Sequence, residues 1–505
     1  MPPELCLYRK KKGELPMFCY QCQETKKNYG CTAGGMCGKK VLTAERMDQL
    51  IRQLKILTLT REPDLKLGRF VAESLFMTVT NTNFDDTRLQ LQLEEAKALS
   101  GDAYAPYGVL ACPDDDLRSL RELLTYGVKG IAAYYLHAVR LGKEDQKICD
   151  FLFKALSATV LEVSVDAMTE LVLACGRTAV DTMALLDTAH RERFGDPVCT
   201  SVRTGTGPRP GILISGHDMQ DLYELLQQTD HAGVDVYTHG EMLPAHYYPA
   251  LKKFQHLYGN YGSSWFRQNE DFASFNGPVI LTTNCIIPVQ SSYQDRIFTT
   301  GTAGYPNIPH IPDGSPKDFG AVIALAKTCP LPRQLENSLI HGGVPDLTGI
   351  AEDIRAGRIR RIVVMAGCDG RHRTRDYYTR VAEILPDDVL VVTAGCAKFR
   401  FLKLSRKNII DAGQCNDSYR IVTMLKTLND LTGIRVPVSF DLAWYEQKAV
   451  AVLLALLALG YRKIRLGPTL PAFLSPGVMK VLVENFALRG IGDPERDVAA
   501  MLNGC

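Results

Sequence analysis

Six residues of metal-binding type stand just beyond six short, apolar runs in the second half of the chain: His217, Glu241, Cys285, Cys368, Cys396 and Cys415. The runs are rich in β-branched residues and closed by Gly, Asn or Asp, so they read as strands. Residues 211–215 lead into Gly216-His217, 234–238 into Gly240-Glu241, and 278–281 into Asn284-Cys285. Residues 362–365 lead into Gly367-Cys368, 389–392 into Gly395-Cys396, and Ile409-Ile410 into Gly413-Gln414-Cys415. In open α/β folds the carboxyl ends of the strands converge on one crevice, so ligands spread over about 200 positions can meet around one centre. The set mixes soft thiolates with hard carboxylate and imidazole, which suits iron bridged by both sulfide and oxygen better than zinc or a plain cubane. A lone Cys after a strand is usually a small buried hydrophobe. Six such placements together point to a buried metal cluster.

A second constellation lies near the start. Cys19, Cys22, Cys31 and Cys37 form Cys-x2-Cys-x8-Cys-x5-Cys on a Gly-bearing loop. Four thiolates so spaced can wrap either an iron–sulfur cubane or a tetrahedral zinc, because both take four soft ligands. Further along, Trp444-Tyr445-Glu446-Gln447-Lys448 opens an apolar helix over residues 449–459, with a carboxylate and an ammonium two residues apart. A Lys is electrostatically misplaced at a helix start. Asp369-Gly370-Arg371-His372-Arg373 reads either as an anion site or, in the simpler reading, as a solvated basic loop. Cys6, Cys112, Cys149, Cys175, Cys199, Cys329 and Cys505 follow no ligand spacing and read as structural or incidental.

These groups need a scaffold, and the chain is long enough to supply one. Its 505 residues, 46% of them hydrophobic, can bury several cores, about three domains by ordinary domain size. A formal charge of +2 gives no reason to expect a nucleic-acid partner. Fifteen cysteines in a chain this large and apolar favour metal ligation over a disulfide framework. The basic run Arg9-Lys10-Lys11-Lys12 precedes no apolar signal region, and the longest apolar run, 449–459, is too short to cross a bilayer. A soluble, cytoplasmic protein without a membrane partner is therefore expected.

Residues 17–200 read as the cysteine loop followed by a helical bundle. Leu117, Leu120, Leu124, Val128, Ile131 and Tyr135 recur at helical spacing, with Pro113 and Asp114 as a start and Gly142 as a stop. Further helical patterns cover 146–156 and 167–188. The three glycines and two prolines of 202–211 mark a linker, and 342–346 marks a second boundary. Between and beyond them strands alternate with helical patterns, which predicts two parallel α/β domains at 201–345 and 346–505 with the metal centre between them.

The motifs resemble those of the hybrid cluster proteins, also called prismane proteins or hydroxylamine reductases. The resemblance rests on Met17-Phe-Cys-Tyr-Gln-Cys-Gln-Glu-Thr, Ser215-Gly-His-Asp218, the segment 237–245, Thr282-Thr-Asn-Cys285, Gly367-Cys-Asp-Gly370, Gly413-Gln-Cys-Asn-Asp417 and Trp444-Tyr-Glu-Gln-Lys448. It implies a helical domain and two Rossmann-like domains, like those of nickel carbon monoxide dehydrogenases. It also implies a [4Fe-4S] cluster on Cys19, Cys22, Cys31 and Cys37. A hybrid [4Fe-2O-2S] cluster would be held by His217, Glu241, Cys285, Cys368, Cys396, Cys415 and Glu446, with Cys368 carrying a persulfide. Three departures stand out: residues 1–16 extend beyond the usual start as a disordered segment or an alternative start, 91–113 is short, and the stretch between Cys396 and Cys415 lacks several residues.

The activity this implies is reduction of hydroxylamine to ammonia and water, with Glu446, Lys448 and Cys368 at the reacting centre. Nitric oxide reduction and transfer of nitrosyl groups to partner proteins in nitrosative-stress defence are the rivals. No dinucleotide fingerprint is present, since Gly205-x-Gly207 lacks the rest of that motif. Electrons are therefore expected from an external donor protein.

Overall fold

The computed structural model describes residues 17–402, 404 and 408–504. The expectations for the 1–16 extension, Cys6 and Cys505 lie outside the described residues, as does part of the shortened stretch between Cys396 and Cys415.

After the cysteine loop come helices Val41–Thr60, Leu65–Met77, Asp86–Leu99, Asp115–Arg140, Gln146–Ala158 and Val165–Phe194. Five of them begin on an Asp or Ser whose side chain accepts a hydrogen bond from a first-turn N–H, as Asp114 does from Leu117 at 2.7 Å. This satisfies donors that the helix itself cannot pair. Of the positions expected on the helical stripe, Leu120, Leu124, Val128, Ile131 and Tyr135 are buried in the bundle and Leu117 is half-buried.

The strands are β1 (Thr200–Arg203), β2 (Gly211–Ser215), β3 (Asp235–His239), β4 (Leu257–Asn260), β5 (Val279–Leu281), β6 (Ile297–Thr300), β7 (His310–Ile311), β8 (Leu339–Gly342), β9 (Arg361–Gly367), β10 (Val389–Thr393), β11 (Ile409–Asp411), β12 (Val438–Ala443), β13 (Arg465–Gly467) and β14 (Arg489–Gly490). Two parallel six-stranded sheets result, ordered β4-β3-β2-β5-β6-β7 and β11-β10-β9-β12-β13-β14. Each is doubly wound, with its first and fourth strands adjacent at the centre. In such sheets the crevice where the winding direction reverses opens beyond the carboxyl ends of those two strands. The central strands are buried on both faces, which is why they read as continuous apolar runs rather than alternating ones.

The segments expected to be linkers are partly sheet. β1 pairs antiparallel with β8, placing Val202 opposite Ile340, and both side chains are buried against Leu243 and Tyr247. Burial of these two β-branched residues outweighs the loop signal of the neighbouring glycines and prolines. Helix Gln447–Ala458 follows β12 yet packs between Asp115–Arg140 and Val165–Phe194 in the bundle. Small residues permit that approach. A methyl group on Gly130 would sit 2.6 Å from the Gln447 carbonyl oxygen, and one on Gly176 would sit 2.2 Å from that of Leu454.

Candidate metal centre

All six expected strands exist, and every residue singled out beyond them lies at a strand carboxyl end. In the first sheet His217 follows the first strand, Glu241 the second and Cys285 the fourth. In the second sheet Cys368 follows the first strand, Cys396 the second and Cys415 the third. Glu446 follows the fourth, β12, which was not among the strands read from sequence. The signal was present in Val438-Ser439-Phe440-Asp441-Leu442-Ala443, masked by the polar Ser439 and Asp441.

Sharp turns aim these side chains. Gly367 has φ +111°, and a Cβ there would come within 2.0 Å of the Ala443 carbonyl oxygen. Only glycine permits both that backbone conformation and that approach between the first and fourth strands. The following residue is then tied in place, with the Cys368 N–H donating to Ala443 O at 2.7 Å.

One ligand-type atom each from His217, Glu241 and Cys415 all lie within 4.8 Å of one another. His217 Nδ1 is 2.8 Å from Thr283 Oγ1, so Nε2 is the ring nitrogen left for a metal. Glu241 accepts the Cys415 N–H through Oε2 at 2.7 Å, whereas its buried Oε1 has no hydrogen-bond partner among the described residues. Glu446 caps helix Gln447–Ala458, accepting the Lys448 N–H through Oε2 at 2.7 Å, and Asn284 Nδ2 reaches its Oε1 at 3.4 Å. Lys448 Nζ stands 3.9 Å from the same Oε1. The Lys at a helix start is thus offset by the cap residue itself. Cys285, Cys368 and Cys396 cluster with Trp265, Ile287 and Tyr445 on the same crevice.

Burial pushes this set toward neutrality. It raises Cys285, Cys396 and Cys415 well above the ordinary thiol range and Cys368 to about 12. It also raises Glu241 and Glu446, opposed by nearby Lys398 and Lys448 respectively, and it holds His217 well below the usual imidazole range. One buried and three half-buried thiols with two buried carboxyls, against the two nearby lysines, are costly as anions. A multivalent metal centre removes that cost and takes imidazole in its neutral form. The orphaned Glu241 Oε1 and the mixed donor set therefore fit an iron centre with sulfur and oxygen ligands. Lys448 is held above its ordinary range: burial opposes the charge, but Cys415, Glu446 and Cys285 together outweigh it.

The N-terminal loop forms a separate group. Cys19 and Cys31 exchange backbone hydrogen bonds of 3.1 and 2.8 Å, and burial raises Cys22 well above the thiol range, with Cys37, Cys19 and Cys31 adding to it. Among the described residues no three of these thiols share the tight spacing of His217, Glu241 and Cys415.

Sequence reasoning missed what joins the two groups. Gln23 N–H donates to Tyr445 O at 3.0 Å, and Gln447 Nε2 donates to Gln21 O at 2.6 Å. Buried Arg375 donates to Cys368 O, Gln23 Oε1 and Trp444 O at 2.8–2.9 Å. The loop at 369–373 is only partly solvated, because buried Asp369 pairs with Arg400 at 2.6 Å and Arg371 with Glu24 at 2.7 Å. No local pattern marks Arg375, since two of its three acceptors, Gln23 and Trp444, come from distant segments. Among the described residues the remaining cysteines, Cys112, Cys149, Cys175, Cys199 and Cys329, are free thiols.

Residues 17–499 match the Prismane/CO dehydrogenase family. The chain belongs to that family. Two relatives named hydroxylamine reductase, from Chlorobaculum tepidum and Nitratidesulfovibrio vulgaris, are each 49% identical over 97% of this chain and 100% of their own. Among solved structures, carbon monoxide dehydrogenase IV from Carboxydothermus hydrogenoformans superposes with a TM-score of 0.59 over 99% of this chain and 94% of that one, at 14% identity. A nickel-free carbon monoxide dehydrogenase from Thermococcus sp. AM4 gives 0.56 over 96% and 90%, at 16% identity. These structures share this chain's fold. No helix among its described residues is long and apolar enough to cross a membrane.

Proposed function

We propose that this prismane-family protein is an iron–sulfur oxidoreductase that reduces hydroxylamine to ammonia and water. The observation that carries the reading is the convergence of His217, Glu241, Cys285, Cys368, Cys396, Cys415 and Glu446 on one crevice between two doubly wound sheets. Full-length similarity to proteins named hydroxylamine reductase supports the substrate. These seven residues would hold the hybrid [4Fe-2O-2S] cluster, and Cys19, Cys22, Cys31 and Cys37 the [4Fe-4S] cluster. When bound, the hybrid cluster supplies a Lewis-acidic iron and the electrons for N–O cleavage.

The chain's own residues shape the reaction around it. A cavity of about 50 Å³ runs from Cys368, Cys415, Glu446 and Lys448 toward Val364, Phe440 and Leu442. That is room for a substrate of two heavy atoms. Its apolar wall excludes bulk water and strengthens the field of the Lys448 ammonium within it. Hydroxylamine plus two electrons and two protons gives ammonia and water, and Lys448 Nζ is placed to hold or give a proton at the departing oxygen. Thr283 fixes the His217 ring through Nδ1.

Anaerobic protein loaded with about eight irons, the content of two four-iron clusters, should convert hydroxylamine to ammonia with a reduced viologen. Fully loaded protein that forms no ammonia refutes the reading. Two variants test the division of labour. Cys22→Ala should remove the [4Fe-4S] spectrum and slow electron uptake while the hybrid-cluster spectrum persists; loss of both spectra from folded protein contradicts separate sites. Thr283→Val, close in shape but without the hydroxyl, should weaken iron retention about 10–100-fold in a chelator challenge, the usual effect of losing a partner behind a metal-bound His.

A further inference from the structure

The basic and apolar face around the N-terminal cysteine loop has no role in the chemistry above. Cys22, Cys31 and Cys37 are buried, yet Met36 beside Cys37 is 52% exposed and Tyr29 is 48% exposed. Val41 and Leu42 extend this apolar surface at the start of the next helix, and both are exposed. The same segments and the 369–374 loop carry the exposed cations Lys26, Lys27, Lys40, Arg371 and Arg373. Arg371 ties the two segments into one surface, donating to Glu24 Oε2 at 2.7 Å and to Met36 O at 3.3 Å. Across residues 24–42 and 369–374 the acidic residues are Glu24, paired with Arg371, and Asp369, which is buried and paired with Arg400. The whole chain is nearly balanced, with 58 Lys and Arg against 56 Asp and Glu. The unbalanced charge is therefore local to the loop.

Exposed apolar residues interspersed with charges of one sign suit a transient docking site, in which the charges speed encounter with an oppositely charged partner. The geometry points to this face as the docking surface for an acidic, one-electron carrier protein that reduces the cluster of the cysteine loop. The assignment rests on the reading of that loop as the electron-receiving centre. In each encounter the carrier is oxidised by one electron and the loop cluster reduced by one. Two encounters supply the two electrons that hydroxylamine consumes with two protons.

The test uses the loaded full chain and its triple variant Lys26→Glu, Lys27→Glu, Arg373→Glu. Stopped-flow reduction by a reduced acidic ferredoxin is expected to fall at least about 10-fold in second-order rate at low ionic strength, and to lose its decline with salt. Dithionite-driven ammonia formation and both cluster spectra should be unchanged in the variant. Equal ferredoxin rates in the two proteins overturn the docking assignment, as does loss of duplex DNA binding in the variant with its ferredoxin rate intact. Absence of dithionite-driven turnover in the wild-type chain strikes the proposed function instead, so the two failures are distinguishable.

Discussion

Glu446→Gln is expected to lower hydroxylamine turnover about 100-fold or more while shifting unfolding stability by no more than roughly 1–2 kcal/mol. The substitution keeps the size of the side chain and an oxygen that can still accept the Lys448 N–H. It removes the negative charge, and with it most of the affinity of a hard oxygen ligand for iron. The loss should appear as an altered hybrid-cluster spectrum, with the [4Fe-4S] spectrum unchanged. Steady-state ammonia formation, iron content and a thermal unfolding midpoint on one anaerobic preparation check all three parts. Normal turnover in this variant would reduce the Glu446 carboxylate to an ordinary helix cap.

Lys448→Ala should leave iron content unchanged and reduce turnover by about 10²- to 10⁴-fold, the range for removal of a general acid. Lys448 is buried, and its ammonium is kept charged by Cys415, Glu446 and Cys285 against the cost of burial. Removing it leaves a small cavity beside Glu446, and added methylammonium should restore part of the rate. Loss of iron from this variant, or turnover within a few-fold of the wild type, would show that Lys448 balances charge in the cluster shell or stands outside the reaction.

Much of this site was legible before folding, because its parts are local. A strand of apolar, β-branched residues that ends on a Gly and then a Cys, His or Glu is complete within about ten residues, so each such unit announces itself. The cysteine loop is likewise local, whereas the cap that Glu446 places on the Lys448 N–H went unread although it too is local. β12 was harder to see, since Ser439 and Asp441 break its apolar run, and the short pairing of β1 with β8 joins segments separated by more than a hundred residues.

By itself the sequence determined which residues are of metal-binding type, six of the seven strands that precede them, the helical start of the chain and their division into two groups. Only the tertiary structure decided that both sheets wind doubly, so that residues of metal-binding type at seven strand ends come together. It alone decided that Arg375 bolts Cys368 to Gln23 and Trp444, and that glycines in the bundle let helix Gln447–Ala458 close over the site. The physical reason is range. Capping and strand formation depend on neighbours within a turn or a run, whereas burial, charge compensation and close backbone approach depend on groups that meet only when distant segments pack.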